Sequence, residues 1–333
     1  MKTKIKKGVD IEIKKKLIPF AEFHSPSKAA MKITASQAEL VREFNRKVTD
    51  GLIEYETVEC LCGARAFDLL ASADRYAMIQ DSVVCTKCGL IQSNPRMTEE
   101  ELRRFYSSDL YRRCYEGDDY LDTAKFKYDT KYGYYIFDEI RKVREIVPGM
   151  TIVELGAGGG WNLVPFRDAG AKVLGVEYSP SLVKFGRDNG MEMVQGDITN
   201  INGTYDVVIL NHVFEHMLNP VSFLKKLTKH LDTGSVVYIA VPNIMNFGML
   251  QLQNAHTYYF SPETLEYFCS LGGLEMVKRG PAQKIHMYGI FRKVAKEGRQ
   301  ADLGGHYKKM RRHIMKSNVK FRIKSVLRAL CLK

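Results

Sequence analysis

Residues 151–166 read TIVELGAGGGWNLVPF. A β-branched apolar run ends at Leu155 and meets Gly156, Ala157, Gly158, Gly159 and Gly160 before Trp161. A strand that stops at a glycine-rich turn and opens a helix offers a ligand bare backbone and a positive helix end. The spacing separates ligand classes. Dinucleotide loops run G-x-G-x-x-G. Here Trp161 stands at the third glycine position, and the pattern is E-x-G-x-G-x-G from Glu154 to Gly160.

Apolar strands alternate with helical segments on the C-terminal side of this loop. Strands are predicted at 151–155, 172–177, 191–194, 205–210 and 235–241, and helices at 160–168, 180–188 and 219–231. Such alternation builds a parallel sheet with crossover helices. After SPETLEYFCSLGG, with Ser261 as N-cap and Pro262 in the first turn, two further strands at 274–280 and 285–293 flank Gly280-Pro281, which permits an antiparallel return. The second strand ends at Glu177, nineteen residues after Gly158, where a carboxylate can accept ribose hydroxyls. Asp197 follows the third strand, and LNHVFEHMLNP follows the fourth without a carboxylate or Lys of dehydrogenase type.

These residues resemble class I S-adenosylmethionine-dependent methyltransferases over about 146–295. VELGAGGG, VEYSP, GDI, LNHVFEHMLNP and GSVVYIAVPN are similar to five family motifs in order. The resemblance implies an α/β, Rossmann-like seven-stranded sheet with the last strand antiparallel. It implies S-adenosylmethionine held by Glu154, Gly156, Gly158, Gly160, Glu177, Asp197 and Asn211, with the glycines along the methionine part, Glu177 on the ribose and Asp197 at the adenine. A nicotinamide-dependent oxidoreductase is disfavoured by Trp161 and the two late strands. A non-catalytic S-adenosylmethionine-binding protein is the other alternative.

Seven cysteines occur, and Cys60, Cys62, Cys85 and Cys88 fall within 29 residues. In a reducing compartment such clustering reads as metal before disulfide. C-x-C and C-x-x-C pairs can close a four-thiolate zinc site, which leaves no open position and is structural. Glu59 stands where a further Cys would give the commoner first pair. CTKCGLIQSNPRMTEEELRRFY is similar to the zinc-binding domain that precedes a methyltransferase domain in bacterial deoxysugar C-methyltransferases and polysaccharide-cluster proteins. That likeness implies a sugar, sugar nucleotide or related small hydroxylated acceptor, with O-methylation as the default and C-methylation as the alternative.

Transfer to a hydroxyl or carbon acid benefits from a general base, and His is the usual one near neutral pH. His212 and His216 follow the fourth strand, four apart, and would share a face if that stretch were helical. His256 lies in NAHTYYFSPETL beside Tyr258 and Tyr259. His256 and then His216 are the preferred catalytic candidates, against the ordinary alternative of structural hydrogen bonding. Tyr258 is a candidate for substrate binding, and the aromatic run at 120–140 for a pocket cap or a packed helix face.

The net charge of +12 is unevenly spread: +5 over residues 1–20 and +10 over 306–333, leaving −3 for 21–305. A mildly acidic body argues against a nucleic-acid groove. The basic ends fit an anionic surface or plain solvation. No apolar run approaches the ~18 residues of a membrane span, and the basic N-terminus has no apolar signal core, so a cytoplasmic protein with peripheral membrane contact is expected. ASQAELVREFNRKVTDG predicts a helix ending near Gly51, and Thr98 with Glu101 predicts a capping box. The expected organisation is a basic extension with one helix (1–55), a zinc-binding domain (56–107), a helical cap (108–145), the methyltransferase domain (146–295) and a basic amphipathic tail (296–333).

Overall fold

The computed structural model describes residues 5–18, 24–27, 29–107, 110–115, 123–246, 251–283, 285–294 and 302–331. In chain order the elements are β1 (Ile5–Gly8), β2 (Glu12–Lys16), α1 (Ala35–Thr49), β3 (Tyr55–Thr57), β4 (Ala66–Ala73), β5 (Ile79–Cys85), β6 (Ile91–Ser93) and β7 (Arg96–Met97). Then come α2 (Glu99–Ser107), α3 (Leu110–Tyr115), α4 (Thr123–Arg141), β8 (Thr151–Leu155), α5 (Val164–Asp168), β9 (Lys172–Glu177), α6 (Pro180–Asp188) and β10 (Met193–Gln195). The last are β11 (Tyr205–Asn211), α7 (Pro220–Leu227), β12 (Leu231–Pro242), β13 (Tyr258–Tyr259), α8 (Pro262–Leu271), β14 (Leu274–Ala282), β15 (His286–Lys293) and α9 (His306–Cys331).

Two compact units divide the chain. One comprises residues 1–104, 243–264 and 302–333, the other 105–242 and 265–301. The division is not a linear run of domains, because the first unit collects three separate stretches of chain.

In the first unit, β13-β6-β5-β4-β2 form a five-stranded sheet and β1-β3-β7 a smaller one. Residues 5–16, expected to lie in a basic extension, supply the strands β1 and β2, which pair in parallel with β3 and β4. The sequence hides them because IKKG and EIKKK lack apolar alternation. Lysine-rich strands suit sheet edges, where charge discourages further pairing. The core gathers Leu70, Val84, Ile91 and Tyr259 from the sheet with Leu252, Met310 and Ile314. Residues 306–318, expected to lie in a tail, therefore contribute to this core. Helix α1 starts at Thr34, whose side chain and Gln37 complete a capping box. Thr98 accepts a bond from the Glu101 amide at 3.4 Å.

In the second unit the sheet order is β10-β9-β8-β11-β12-β15-β14. The chain's last strand, β15, runs antiparallel to both neighbours, and the other pairings are parallel. Val207, Ile209, Val236 and Tyr238 are fully buried and pack with Ile136 and Ile140 of α4 and with Leu163 and Phe166. Strand order reverses at β8, between β9 and β11. In open α/β sheets, ligands bind at the carboxyl ends of the strands beside such a switch point. The glycine loop begins there.

Candidate functional site

The loop after β8 is shaped by contacts within the protein as well as by any ligand. Gly156 has φ +71°, and a Cβ there would meet Val213 Cγ2 at 2.4 Å. Gly158 has φ +56°, and a Cβ would strike the Trp161 ring at 2.7 Å. Residues with side chains avoid both the backbone conformation and the space.

The loop amides are largely committed. Gly156 and Ala157 donate to Val176 O at 2.7 and 3.0 Å, and Gly160 donates to Ala157 O at 2.9 Å. Gly158 donates to Glu177 Oε2 at 2.9 Å, and the Ser179 amide donates to Glu177 Oε1 at 3.0 Å. This loop does not present the row of free N–H groups that cradles a pyrophosphate.

What it presents is acceptors. Glu154 is 1% exposed at the end of β8. Its Oε1 accepts from Asn162 Nδ2 at 2.7 Å. Glu154 Oε2, Asn162 Oδ1 and Asn211 Oδ1 are buried with no hydrogen-bond partner among the described residues. Burial pushes the Glu154 carboxyl up to about 8, with a further push from the Glu177 charge, against the Asn162 bond. Buried acceptors without donors are costly, about 1–3 kcal/mol each, and a cluster of them fits a ligand carrying donors and positive charge. The amino-acid ammonium of S-adenosylmethionine meets that requirement.

Asn162 was not among the sequence-based candidates. The signal for it was a polar residue inside the apolar run WNLVPF. Its backbone rests on α4 at Gly133, where a Cβ would stand 2.9 Å from Asn162 Cα and from Trp161 O.

Asp197 lies beyond β10 as the cap of a short 3-10 helix. Its Oδ1 accepts from the Thr199 amide and hydroxyl at 2.8 and 2.7 Å, and its Oδ2 from Tyr178 at 3.2 Å. Burial raises its pKa, but the Thr199 and Tyr178 bonds outweigh this and hold it below the ordinary carboxylate value.

The stretch from His212 to His216 is not an α-helix, so the two histidines do not share a helix face. His212 takes a left-handed backbone, φ +56°, and only Phe214–His216 form a 3-10 turn. The His212 ring stands edge-on to His286 at 4.3 Å, and its Nδ1 lies 3.4 Å from Glu215 Oε1. Burial raises the Glu215 pKa, but the His212 bond and the charges of His216 and His212 bring it below the ordinary value. His216 Nδ1 is 2.9 Å from the Tyr106 hydroxyl. His256 belongs to the first unit, whereas His216 belongs to the second. The His256 carbonyl accepts from Ser93 Oγ at 2.8 Å, and its amide donates to Gln253 O. Tyr258, the candidate substrate ligand, is buried, and its hydroxyl accepts from Arg96 at 3.1 Å. In the aromatic run, Tyr132 and Tyr135 pack on the core of the second unit, and residues 116–122 lie outside the described ones.

The cysteine cluster sits in the first unit, between β3 and β6. The sulfurs of Cys60, Cys62, Cys85 and Cys88 all lie within 4.8 Å of one another, with Cys60–Cys88 at 3.5 Å and Cys62–Cys85 at 3.6 Å. A tetrahedron with Zn–S bonds of about 2.3 Å has edges of roughly 3.8 Å, so the donor set and its spacing fit one zinc ion. Hydrogen bonds from Cys60, Cys85 and Cys88 hold the Cys62 thiol far below its ordinary pKa. The departure from C-x-x-C at Glu59 does not disturb this grouping, since Glu59 is exposed and faces Arg65 at 3.5 Å.

Residues 128–279 match the family described as a methyltransferase domain. A ubiquinone biosynthesis O-methyltransferase of Rickettsia canadensis is 27% identical over 119 residues, 33% of this chain and 50% of that protein. A demethylmenaquinone methyltransferase of Renibacterium salmoninarum is 23% identical over 140 residues, 38% of this chain and 59% of that protein. The chain thus spans about half the length of the curated relatives it matches. Among solved structures, a Burkholderia thailandensis didemethyltoxoflavin N-methyltransferase with bound S-adenosylhomocysteine is 16% identical, with a TM-score of 0.46 over 62% of this chain and 96% of that one. A magnesium protoporphyrin IX methyltransferase of Synechocystis is 15% identical, with a TM-score of 0.45 over 59% and 100%. The stretch that carries the glycine loop and most of the seven-stranded sheet is an S-adenosylmethionine-dependent methyltransferase domain.

Proposed function

We propose that the chain methylates a hydroxyl of a small hydroxylated metabolite, a sugar or sugar nucleotide of surface-glycan or secondary metabolism. The observation behind the donor half is the loop at β8, which offers buried acceptors where a dinucleotide loop offers amides. Glu154 Oε2 and Asn162 Oδ1 would take the ammonium of S-adenosylmethionine. Glu177, already oriented by two backbone amides, would take ribose hydroxyls, and Asp197 the adenine amine. Asn211 adds a further acceptor at the end of β11. Bound there, S-adenosylmethionine supplies an activated methyl group on sulfur. The protein then needs to hold the acceptor oxygen in line and take its proton. His256 and His216 are the candidates for the proton, the latter oriented by Tyr106.

The four thiolates would hold zinc as a structural ion, with no open position for chemistry. The sugar acceptor rests on the likeness of the cysteine segment to the zinc-binding domain of deoxysugar enzymes, which also keeps C-methylation as an alternative. A second reading, a phenolic acceptor, is favoured by the O-methyltransferases of ubiquinone biosynthesis among the relatives.

Thermal shift with S-adenosylhomocysteine against NADH tests the donor half. A ligand at a hundred times its Kd stabilises by about 2.7 kcal/mol. Stabilisation by NADH alone would sink the reading. Methyl transfer to a panel of nucleotide sugars, with catechols in parallel, tests the acceptor. Turnover of catechols alone would favour the phenolic reading.

A further inference from the structure

We propose that the outward side of α9 is a docking strip for an anionic membrane surface. The helix begins against the cysteine-bearing sheet. His306 is buried, with Nδ1 donating to Cys88 O at 2.8 Å and Nε2 2.9 Å from Ser261 Oγ. Tyr307 donates to Asp68, and Lys309 pairs with Glu263. Met310 and Ile314 are buried in the core of the first unit, and Asn318 is buried one turn later. One side of the helix is thereby fixed.

The opposite side faces solvent along the described side chains. Lys308, Arg311, Arg312, Met315, Lys316 and Val319 are exposed. At about 3.6 residues per turn they fall within roughly 140° of one another around the axis. The four cations make no ion pair among the described residues, and no acid occurs anywhere in 306–333. Met315 and Val319 stand in the middle of the strip, 49% and 58% exposed. Over residues 306–319 the helix has two apolar sides. Its inner apolar residues serve the core, and a second apolar pair faces out, ringed by positive charge. The sequence carries the spacing of Val319 onward at Ile323, Val326 and Leu330.

Charge and apolarity together select the occupant. Solvation accounts for the cations but not for two large apolar side chains between them. A nucleic acid would satisfy the cations and leave Met315 and Val319 against phosphate. Anionic headgroups over acyl chains satisfy both, as with other interfacial helices. Among the described residues no helix is long and apolar enough to cross a membrane, so the contact is peripheral. It places the protein where lipid-linked or membrane-bound acceptors are presented.

The test is sedimentation of the full chain with vesicles of 30% phosphatidylglycerol in phosphatidylcholine, and with phosphatidylcholine alone. Each Lys or Arg near an anionic surface contributes about fivefold in partitioning. The triple variant R311Q/R312Q/K316Q should lose tenfold or more, M315D/V319D should lose a similar amount, and 0.5 M salt should release the wild type. All these side chains are exposed, so circular dichroism and thermal midpoint should be unchanged. No binding to anionic vesicles, equal binding to phosphatidylcholine, wild-type binding by both variants, or displacement by a duplex oligonucleotide at lower concentration than by lipid would each overturn the proposal.

Discussion

Cofactor binding should release a proton at Glu154. The carboxyl is buried beside Glu177, and its pKa is pushed up to about 8 in the free protein. It is then mostly neutral at pH 7. A ligand ammonium at Oε2 favours the carboxylate. With a folded value near 8, about 1% of the molecules carry the carboxylate at pH 6 and half at pH 8. If the complex is ionised throughout, affinity for S-adenosylhomocysteine should tighten by about fiftyfold across that range. The protein alone should move the other way. A folded pKa raised above the unfolded one contributes stability that is complete below the unfolded value and is lost as pH rises through the folded one. Between pH 6 and 8 the unliganded protein should lose about 2 kcal/mol.

Titration calorimetry at pH 6, 7 and 8, in buffers of different ionisation enthalpy, reads both the affinity and the proton. Methylthioadenosine, which lacks the amino-acid group, is the control and should show no slope. E154Q keeps the acceptor for Asn162 and removes this titration, so its thermal midpoint should fall less than that of the wild type between pH 6 and 8. Equal affinity for S-adenosylhomocysteine at pH 6 and 8, with no proton released, would refute the assignment of Glu154 to the ligand's ammonium.

Three further perturbations probe neighbouring parts. N162L should weaken S-adenosylhomocysteine by tenfold or more, since a hydrogen bond to a charged group contributes about 1.5–3 kcal/mol, while leaving methylthioadenosine unchanged; equal losses for both ligands would reduce Asn162 to a packing role. G133A should destabilise the protein by about 1–3 kcal/mol through overpacking, although Ala in a helix interior ordinarily gains about 1 kcal/mol over Gly; a raised unfolding midpoint would show that α4 does not bear on Asn162. C85S should lower zinc, measured by mass spectrometry, from one per chain to a small fraction; a wild type free of metal after purification in zinc-supplemented medium would remove the ion from the account.

Much of the second unit was legible because its constraints are local. The run GSVVYIAVP, expected as a strand from 235, lies in β12, where residues 235–242 are all buried, as expected of a strand covered on both faces. Ser179 ahead of Pro180 starts α6 with a side-chain cap to the Leu182 amide. The third strand shifted from the expected 191–194 to Met193–Gln195, a displacement of the size that frayed ends give. What escaped the sequence depends on distant partners. β1 and β2 are strands because β3 and β4 are there to receive them. α9 has an inner face because Asp68, Cys88 and Ser261 meet its first turn. The two candidate bases come from different units, so no spacing along the chain reports on them.

Trp161 shows how a local reading can reach the right ligand for half of the reason. In the sequence it occupies the third glycine position of a dinucleotide loop and so disfavours that cofactor. In the structure its ring lies over the loop itself, so that a Cβ at Gly158 or Gly159 would meet it at 2.7 or 2.8 Å. Gly158, read from the sequence as a ligand position, and its neighbour Gly159 are thus also required by the residue that follows them. In the proposed function the ligand's own requirement would fall instead on Glu154 and Asn162, whose buried acceptors lack a partner among the described residues. Replacing Trp161 by Leu should therefore relax the need for glycine at 159 without altering the charge the site prefers, whereas E154Q should alter the charge preference and leave the loop in place.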